Sequence, residues 1–134
     1  MILTRKAFGG LVLGAILAGV TLVSSAWADA AVPFSPEAFK SAQAAGSPIL
    51  VEIHADWCPT CRAQAPILNR VTADPRFKNL KIFTVDFDAQ KAVVRQFGAQ
   101  YQSTLIVFKG AAEQGRSVGD TRPDTIGALL NRAL

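Results

Sequence analysis

Apolar and polar positions along the chain fall into segments with different rhythms. Phe8 through Val23 is apolar, interrupted only by small residues and Thr21, and it follows Arg5 and Lys6. Further on, Ser35-Pro36-Glu37 offers an N-cap residue, a proline at the first helical position and an acid in the first turn. Phe34 and Phe39 stand where a hydrophobic staple would. This predicts a helix from Pro36 to about Ala45, ending at Gly46. Ile49 to Ala55 is apolar on both parities, as expected of a central strand covered on both faces. Pro59 to about Val71 has helical apolar spacing, with Pro66 inside it as an expected kink. Lys81 to Phe87 is a second β-branched and aromatic run, and Gln90 to Phe97 a short helix stopped by Gly98. Thr104 to Lys109 is a third strand, Gly110 to Gly115 contains a turn, and Arg116 to Val118 is its expected antiparallel partner. A last helix begins near Thr121 or Arg122, with Pro123 early and Asp124 in its first turn.

The order of elements is helix, strand, helix, strand, helix, strand, strand, helix. Strands separated by helices predict parallel crossovers and an α/β sheet, and the final hairpin adds an antiparallel edge. The length of 134 residues suits one domain. No internal repeat or low-complexity segment interrupts it.

The first segment has a meaning of its own. Two positive charges, an apolar core and the small residues of Ala26-Trp27-Ala28 follow the order of a secretory signal peptide, with the cut expected between Ala28 and Asp29. The alternative is a retained anchor, but the apolar stretch is shorter than the roughly 20 residues that span a bilayer core. The expected organisation is therefore residues 1–28 as signal peptide and 29–134 as the folded domain, exported to the periplasm or another oxidising compartment. Loss of Arg5 and Lys6 with the leader lowers the formal net charge of +4. The remaining basic residues are scattered singly, with no stripe and little aromatic interleaving, so a nucleic-acid partner is not expected.

Export changes how the two cysteines are read. Cys58 and Cys61 lie in Trp57-Cys58-Pro59-Thr60-Cys61, directly after the first long strand and at the start of a helix. In that context C-x-x-C reads as a redox dithiol. Cys58 at or near the N-cap meets unpaired backbone N–H groups and the helix dipole, which favour a thiolate, the nucleophile of disulfide exchange. Cys61, one turn deeper on the same face, is the expected resolving thiol. Two alternatives stay open: a structural disulfide, which closes too small a loop for much entropic stabilisation, and a thiolate metal-binding or metal-delivery module, for which only His54 stands nearby as a further ligand.

The residues Ile-Leu-Val-Glu-Ile-His-Ala-Asp-Trp-Cys-Pro-Thr-Cys-Arg-Ala-Gln-Ala-Pro-Ile-Leu, from 49 to 68, resemble the active-site strand and helix of the thioredoxin superfamily. Val85-Asp86-Phe87-Asp88, Phe97-Gly98 and Thr104 to Gly110 resemble its later strand, helix and strand in the same order and spacing. The resemblance covers about residues 35 to 134. It implies an α/β fold of a single thioredoxin-like domain, with a mixed sheet flanked by helices on both faces. It also implies a protein-disulfide oxidoreductase, with Cys58 attacking and Cys61 resolving. The implied partners are protein thiols or disulfides and an upstream redox partner expected in the membrane, with no cofactor and a monomeric state. Reductant is the expected direction.

Five residues differ from the superfamily pattern. Ser103 stands where the family has a cis-proline facing the dithiol, and the Gln102-Ser103 bond is expected to be trans, because cis before serine costs about 2.5 to 4 kcal/mol. Loss of the proline ring is expected to unshield the sulfurs. Trp57, Gln102, Ser103 and Thr104 are the expected substrate contacts. Glu52 takes the place of a buried aspartate, Thr84 that of the lysine opposite it, and Pro59-Thr60 that of Gly-Pro. A buried Glu52 is expected to have a raised pKa and to accept the Cys61 proton; the alternative is an acid hydrogen-bonded to a neighbour without catalytic duty. His54 reads either as a packing residue or as a group acting on the thiolate or a metal, and Trp57 as a lid beside the dithiol. Asp86 and Asp88 read as solvated or capping residues, with a metal-binding carboxylate pair as the alternative.

Overall fold

A computed structural model describes residues 30–134. The signal-peptide reading of residues 1–28, with its cut before Asp29, lies outside them. Among the described residues, five strands and four α-helices follow one another as β1 (Val32–Pro33), α1 (Pro36–Ala44), β2 (Pro48–His54), α2 (Pro59–Thr72), β3 (Lys81–Asp86), α3 (Lys91–Gln96), β4 (Thr104–Lys109), β5 (Ala112–Val118) and α4 (Pro123–Asn131). A 3₁₀ turn at Pro75–Phe77, started by the Asp74 side chain accepting from the Arg76 N–H, was not evident in the sequence pattern.

The sheet order is β1-β3-β2-β4-β5. β1, β2 and β3 are parallel, β4 is antiparallel to β2, and β5 is antiparallel to β4. Two expectations are corrected here, and one element is added. β4 does not return as a parallel crossover. The six residues of α3 span about 9 Å at 1.5 Å each, against about 20 Å for a six-residue strand, so the chain enters β4 from the end at which it left β3. β5 is also longer than expected, starting at Ala112 and leaving only a tight turn at Gly110, whose φ of +56° suits glycine. Finally, β1 adds a two-residue edge, paired through Val32 and Phe83, that carries too little pattern to be read.

Apolar residues on both parities of β2 do face two cores. On one side, Ile49, Val51 and Ile53 pack with Phe34, Phe39, Phe83, Phe97 and Phe108 under α1 and α3. On the other, Leu50 packs with Leu68, Leu105, Ile126 and Leu130 under α2 and α4. The N-terminal cap of α1 forms as expected: Ser35 Oγ accepts from the Ala38 N–H at 3.2 Å, and the Phe34 and Phe39 rings lie 5.4 Å apart. Helix α2 runs through Pro66 without a break. The absence of a side chain at Gly115 lets α4 approach β5, since a Cβ there would meet Arg132 at 2.9 Å and Leu129 at 3.1 Å.

Phe39 touches the rings of Phe34, Phe83, Phe97 and Phe108 at 5.4 to 5.8 Å. Phe39→Ala is expected to lower the stability by about 3 to 5 kcal/mol, with Phe39→Leu costing clearly less. Chemical denaturation of the two variants beside the parent measures the difference.

Candidate active site

The central strand ends at His54, and a two-residue turn brings Cys58 to the N-cap of α2. Cys58 N–H donates to the Ala55 carbonyl at 3.1 Å, which closes that turn. Cys58 Sγ accepts from the Cys61 N–H at 3.2 Å, taking the role an N-cap oxygen usually has. Both cysteines are free thiols and 1% exposed, packed with Ala55 and Phe87.

Ser103, in the loop leading into β4, closes the site. Its hydroxyl lies 3.2 Å from Cys58 Sγ and 3.0 Å from Cys61 Sγ. The Gln102-Ser103 bond is trans, and Ser103 has a φ of +58°. Both of its peptide groups are held: its N–H donates to the Ile53 carbonyl at 2.8 Å, and its carbonyl accepts from the Gly119 N–H at 2.9 Å. The expected unshielding of the sulfurs is corrected by this arrangement. The Ser103 hydroxyl lies against both sulfur atoms, and the dithiol is buried without a proline ring.

These contacts separate the two thiols. Desolvation pushes the Cys58 pKa up, but hydrogen bonds from Cys61, the Ser103 hydroxyl and the N–H groups of Cys61 and Thr60 outweigh it and bring it down to about 7. Cys61 goes the other way, raised by desolvation and by its hydrogen bond to Cys58. Cys58 is thus the thiolate and Cys61 the proton-holding partner.

Glu52 lies on the α2 side of β2, paired across the sheet with Thr84 on β3 and Leu105 on β4. It is 8% exposed, and burial raises its pKa against the opposing pull of His54. His54 Nδ1 is 3.5 Å from Glu52 Oε1, while Nε2 is 3.1 Å from Asp56 Oδ1. His54 is therefore neither a plain packing residue nor a thiolate partner but a link from a buried carboxyl to an exposed one. Sequence reasoning missed Asp56, whose place two residues after His54 is the only signal. A cavity of about 450 Å³ between β2, β3 and α2 is lined by Glu52, His54, Thr84 and Asn69 among others.

Trp57 is 55% exposed, so it is no packed lid; its indole N–H donates to Asp88 Oδ2 at 2.6 Å, which holds the ring at the rim. Asp86 caps the turn after β3 by accepting from the N–H groups of Asp88 and Ala89. Gln102 is half-buried beside Ser103, and the buried Thr104 donates through its hydroxyl to the Tyr101 carbonyl at 2.6 Å. Tyr101 and Val118, both largely exposed, adjoin the same loops and were not singled out from the sequence. Gln64 ties α2 to the loop after β5 by donating to the Asp120 carbonyl at 2.8 Å. Among the described residues, no group of three or more His, Cys, Asp or Glu is placed to hold a metal ion.

A dithiol at the start of a helix, fed by the central strand of a mixed sheet, defines a thiol-disulfide exchange protein. The thioredoxin family model matches residues 30–132, and the chain belongs to that family, whose members are protein-disulfide oxidoreductases. Thioredoxin from Chlamydia caviae is 33% identical over 98 residues, covering 73% of this chain and 93% of its own. The crystal structure of Trxlp from Edwardsiella tarda EIB202 superposes with a TM-score of 0.73 at 42% identity, covering 75% of this chain and 98% of that one. A thioredoxin from Malassezia sympodialis, at 21% identity, shares the fold with a TM-score of 0.69 over 78% of this chain and 90% of its own.

Cys58 is expected to be alkylated faster than Cys61, with a rate that rises with pH through a midpoint near 7 as the thiolate forms. Mass-spectrometric mapping of the modified residue across pH checks this. Preferential labelling of Cys61 reverses the two roles.

Proposed function

We propose that the protein is an exported thiol-disulfide oxidoreductase that reduces disulfides in other proteins. The observation that carries this reading is the Cys58 sulfur at the N-cap of α2, with its pKa at about 7 and Cys61 one turn deeper in the same buried cluster. Export is supported by the leader pattern of residues 1–28. The reducing direction is supported by the resemblance to exported thioredoxin-like reductases, and it requires an upstream donor, which we place in the membrane because an oxidising compartment does not keep the dithiol reduced.

In this mechanism the Cys58 thiolate attacks one sulfur of a substrate disulfide. A mixed disulfide forms, and the other substrate sulfur leaves. Cys61 then gives up its proton and attacks Cys58 Sγ, which breaks the mixed disulfide, frees the second substrate sulfur and closes the Cys58–Cys61 bond. Two electrons have passed to the substrate. Glu52, whose proton affinity burial raises, is the proton acceptor for Cys61 in this reading, and the cavity and the His54–Asp56 link give it a route to solvent. Trp57, Gln102, Ser103 and Thr104 form the rim on which an extended substrate docks, with Ser103 in the place of the family's cis-proline. The protein works as a monomer.

Cys61→Ser is expected to accumulate mixed disulfides with substrates, and Cys58→Ser to abolish turnover. In single-turnover kinetics, Glu52→Gln is expected to slow resolution by about 100-fold, as for a lost general base, with less effect on the initial attack. Equal slowing of both steps assigns Glu52 a structural role.

Export has its own test. Intact-mass measurement of the protein recovered from the periplasm is expected to give a chain beginning at Asp29. A membrane-bound product retaining residues 1–28 contradicts cleavage.

A further inference from the structure

The Ser103 hydroxyl is 2% exposed at the residue level and within hydrogen-bond distance of both sulfurs, 3.2 Å from Cys58 and 3.0 Å from Cys61. A left-handed backbone is unfavourable for an L-residue, so Ser103 stays at φ +58° because Ile53 and Gly119 hold its two peptide groups. The backbone that carries the hydroxyl is thus fixed over the dithiol, and hydroxyl and sulfurs adjust to one another by side-chain rotation. A hydroxyl has one hydrogen to donate and lone pairs to accept with. With one thiolate and one thiol beneath it, the hydroxyl can bridge the two: Ser103 O–H donates to the Cys58 thiolate, and the Cys61 S–H points between Ser103 Oγ and Cys58 Sγ.

We propose that Ser103 is a catalytic residue of the dithiol, donating to the Cys58 thiolate while accepting from the Cys61 thiol, and that it thereby stabilises the reduced form over the disulfide. The inference rests on the thiol-disulfide exchange reading and deepens it. In the disulfide neither sulfur carries a negative charge or a proton, so the charge-assisted bond to Cys58 is lost on oxidation. The overall step balances. The Cys58 thiolate, the Cys61 thiol and a substrate disulfide give the Cys58–Cys61 disulfide, one substrate thiol and one substrate thiolate; two electrons and the Cys61 proton go to the substrate.

Among the described residues, the other charged groups around the pair are engaged elsewhere; on β2, Glu52 faces His54 at 3.5 Å and enters only when Cys61 gives up its proton. From the connection after β3, Phe87 packs on the sulfurs, while Asp86 is turned onto backbone N–H groups and Asp88 onto Trp57. From the end of β2, Asp56 is engaged with His54. From the loop after β5, Asp120 is engaged with Arg122 and Thr125. The charge acting on Cys61 is that of Cys58.

The test compares the full chain with Ser103→Ala and Ser103→Gly. Both remove the hydroxyl, but only the second relieves the left-handed backbone. Two readouts need no protein substrate: the pH midpoint of Cys58 alkylation, and the dithiol-disulfide equilibrium against glutathione. Both variants are expected to raise the midpoint by about one pH unit, as for loss of one hydrogen bond to a charged group. Both are also expected to move the equilibrium about tenfold toward the disulfide, which is about 30 mV for a two-electron couple. If the parent equilibrates with glutathione and both variants keep its midpoint and its equilibrium, the assignment of Ser103 is overturned while the exchange reading stands. A shift in only one variant assigns the effect to the backbone and also overturns it. A parent that does not equilibrate with glutathione overturns the exchange reading itself.

Discussion

Burial of β2 on both faces fixes the position of the Cys58 sulfur, and the rest of the site is arranged around that point. The strand is locked between β3 and β4 by two full ladders, and its side chains anchor both cores. Its end therefore cannot shift, and the short turn from Ala55 delivers Cys58 to the first turn of α2, where the backbone N–H groups have no helical partner. A thiolate there is stabilised by groups that the helix must leave unpaired in any case. The same strand supplies the Ile53 carbonyl that holds Ser103 and the Glu52 carboxyl below, so nucleophile, hydroxyl and buried acid are all referenced to one rigid element.

Placing these groups in a dry environment has opposing effects. Desolvation penalises charge on both sulfurs and on Glu52, yet only Cys58 has enough donors to reverse that penalty. The result is an ordered set: a thiolate, a thiol held protonated beside it, and a carboxyl with elevated proton affinity linked through His54 to solvent. Such a gradient suits a two-step exchange, in which the first sulfur must be charged at the start and the second only later.

How much of this was legible in the sequence depends on whether the information was local. The Ser35 cap, the Phe34–Phe39 staple, the double-sided burial of β2 and the cysteine at the start of α2 all rest on residues within one or two turns of each other, and each was readable. The direction of β4 was not, because it follows from the length of α3 relative to the sheet. β5 was truncated in the sequence reading because Ala112-Glu113-Gln114-Gly115 has no apolar alternation; as an exposed edge it is held by its ladder to β4. Ser103 was recognised as a departure from the family, but its contact with both sulfurs depends on a left-handed backbone and on anchors at Ile53 and Gly119, 50 and 16 residues away in the chain. The link from His54 to Asp56 was hidden for a different reason: a histidine among apolar residues carries no sign of which neighbour it turns to.

The central claim is that this dithiol, through Cys58, passes electrons to disulfides in other proteins. It is tested most directly by following reduction of a folded protein with one exposed disulfide, using a small-molecule dithiol as donor. The account predicts catalysed turnover by the parent chain, above the rate of the donor alone, and none by a chain lacking the Cys58 sulfur. Turnover that survives loss of Cys58, or a parent no faster than the donor alone, would contradict it.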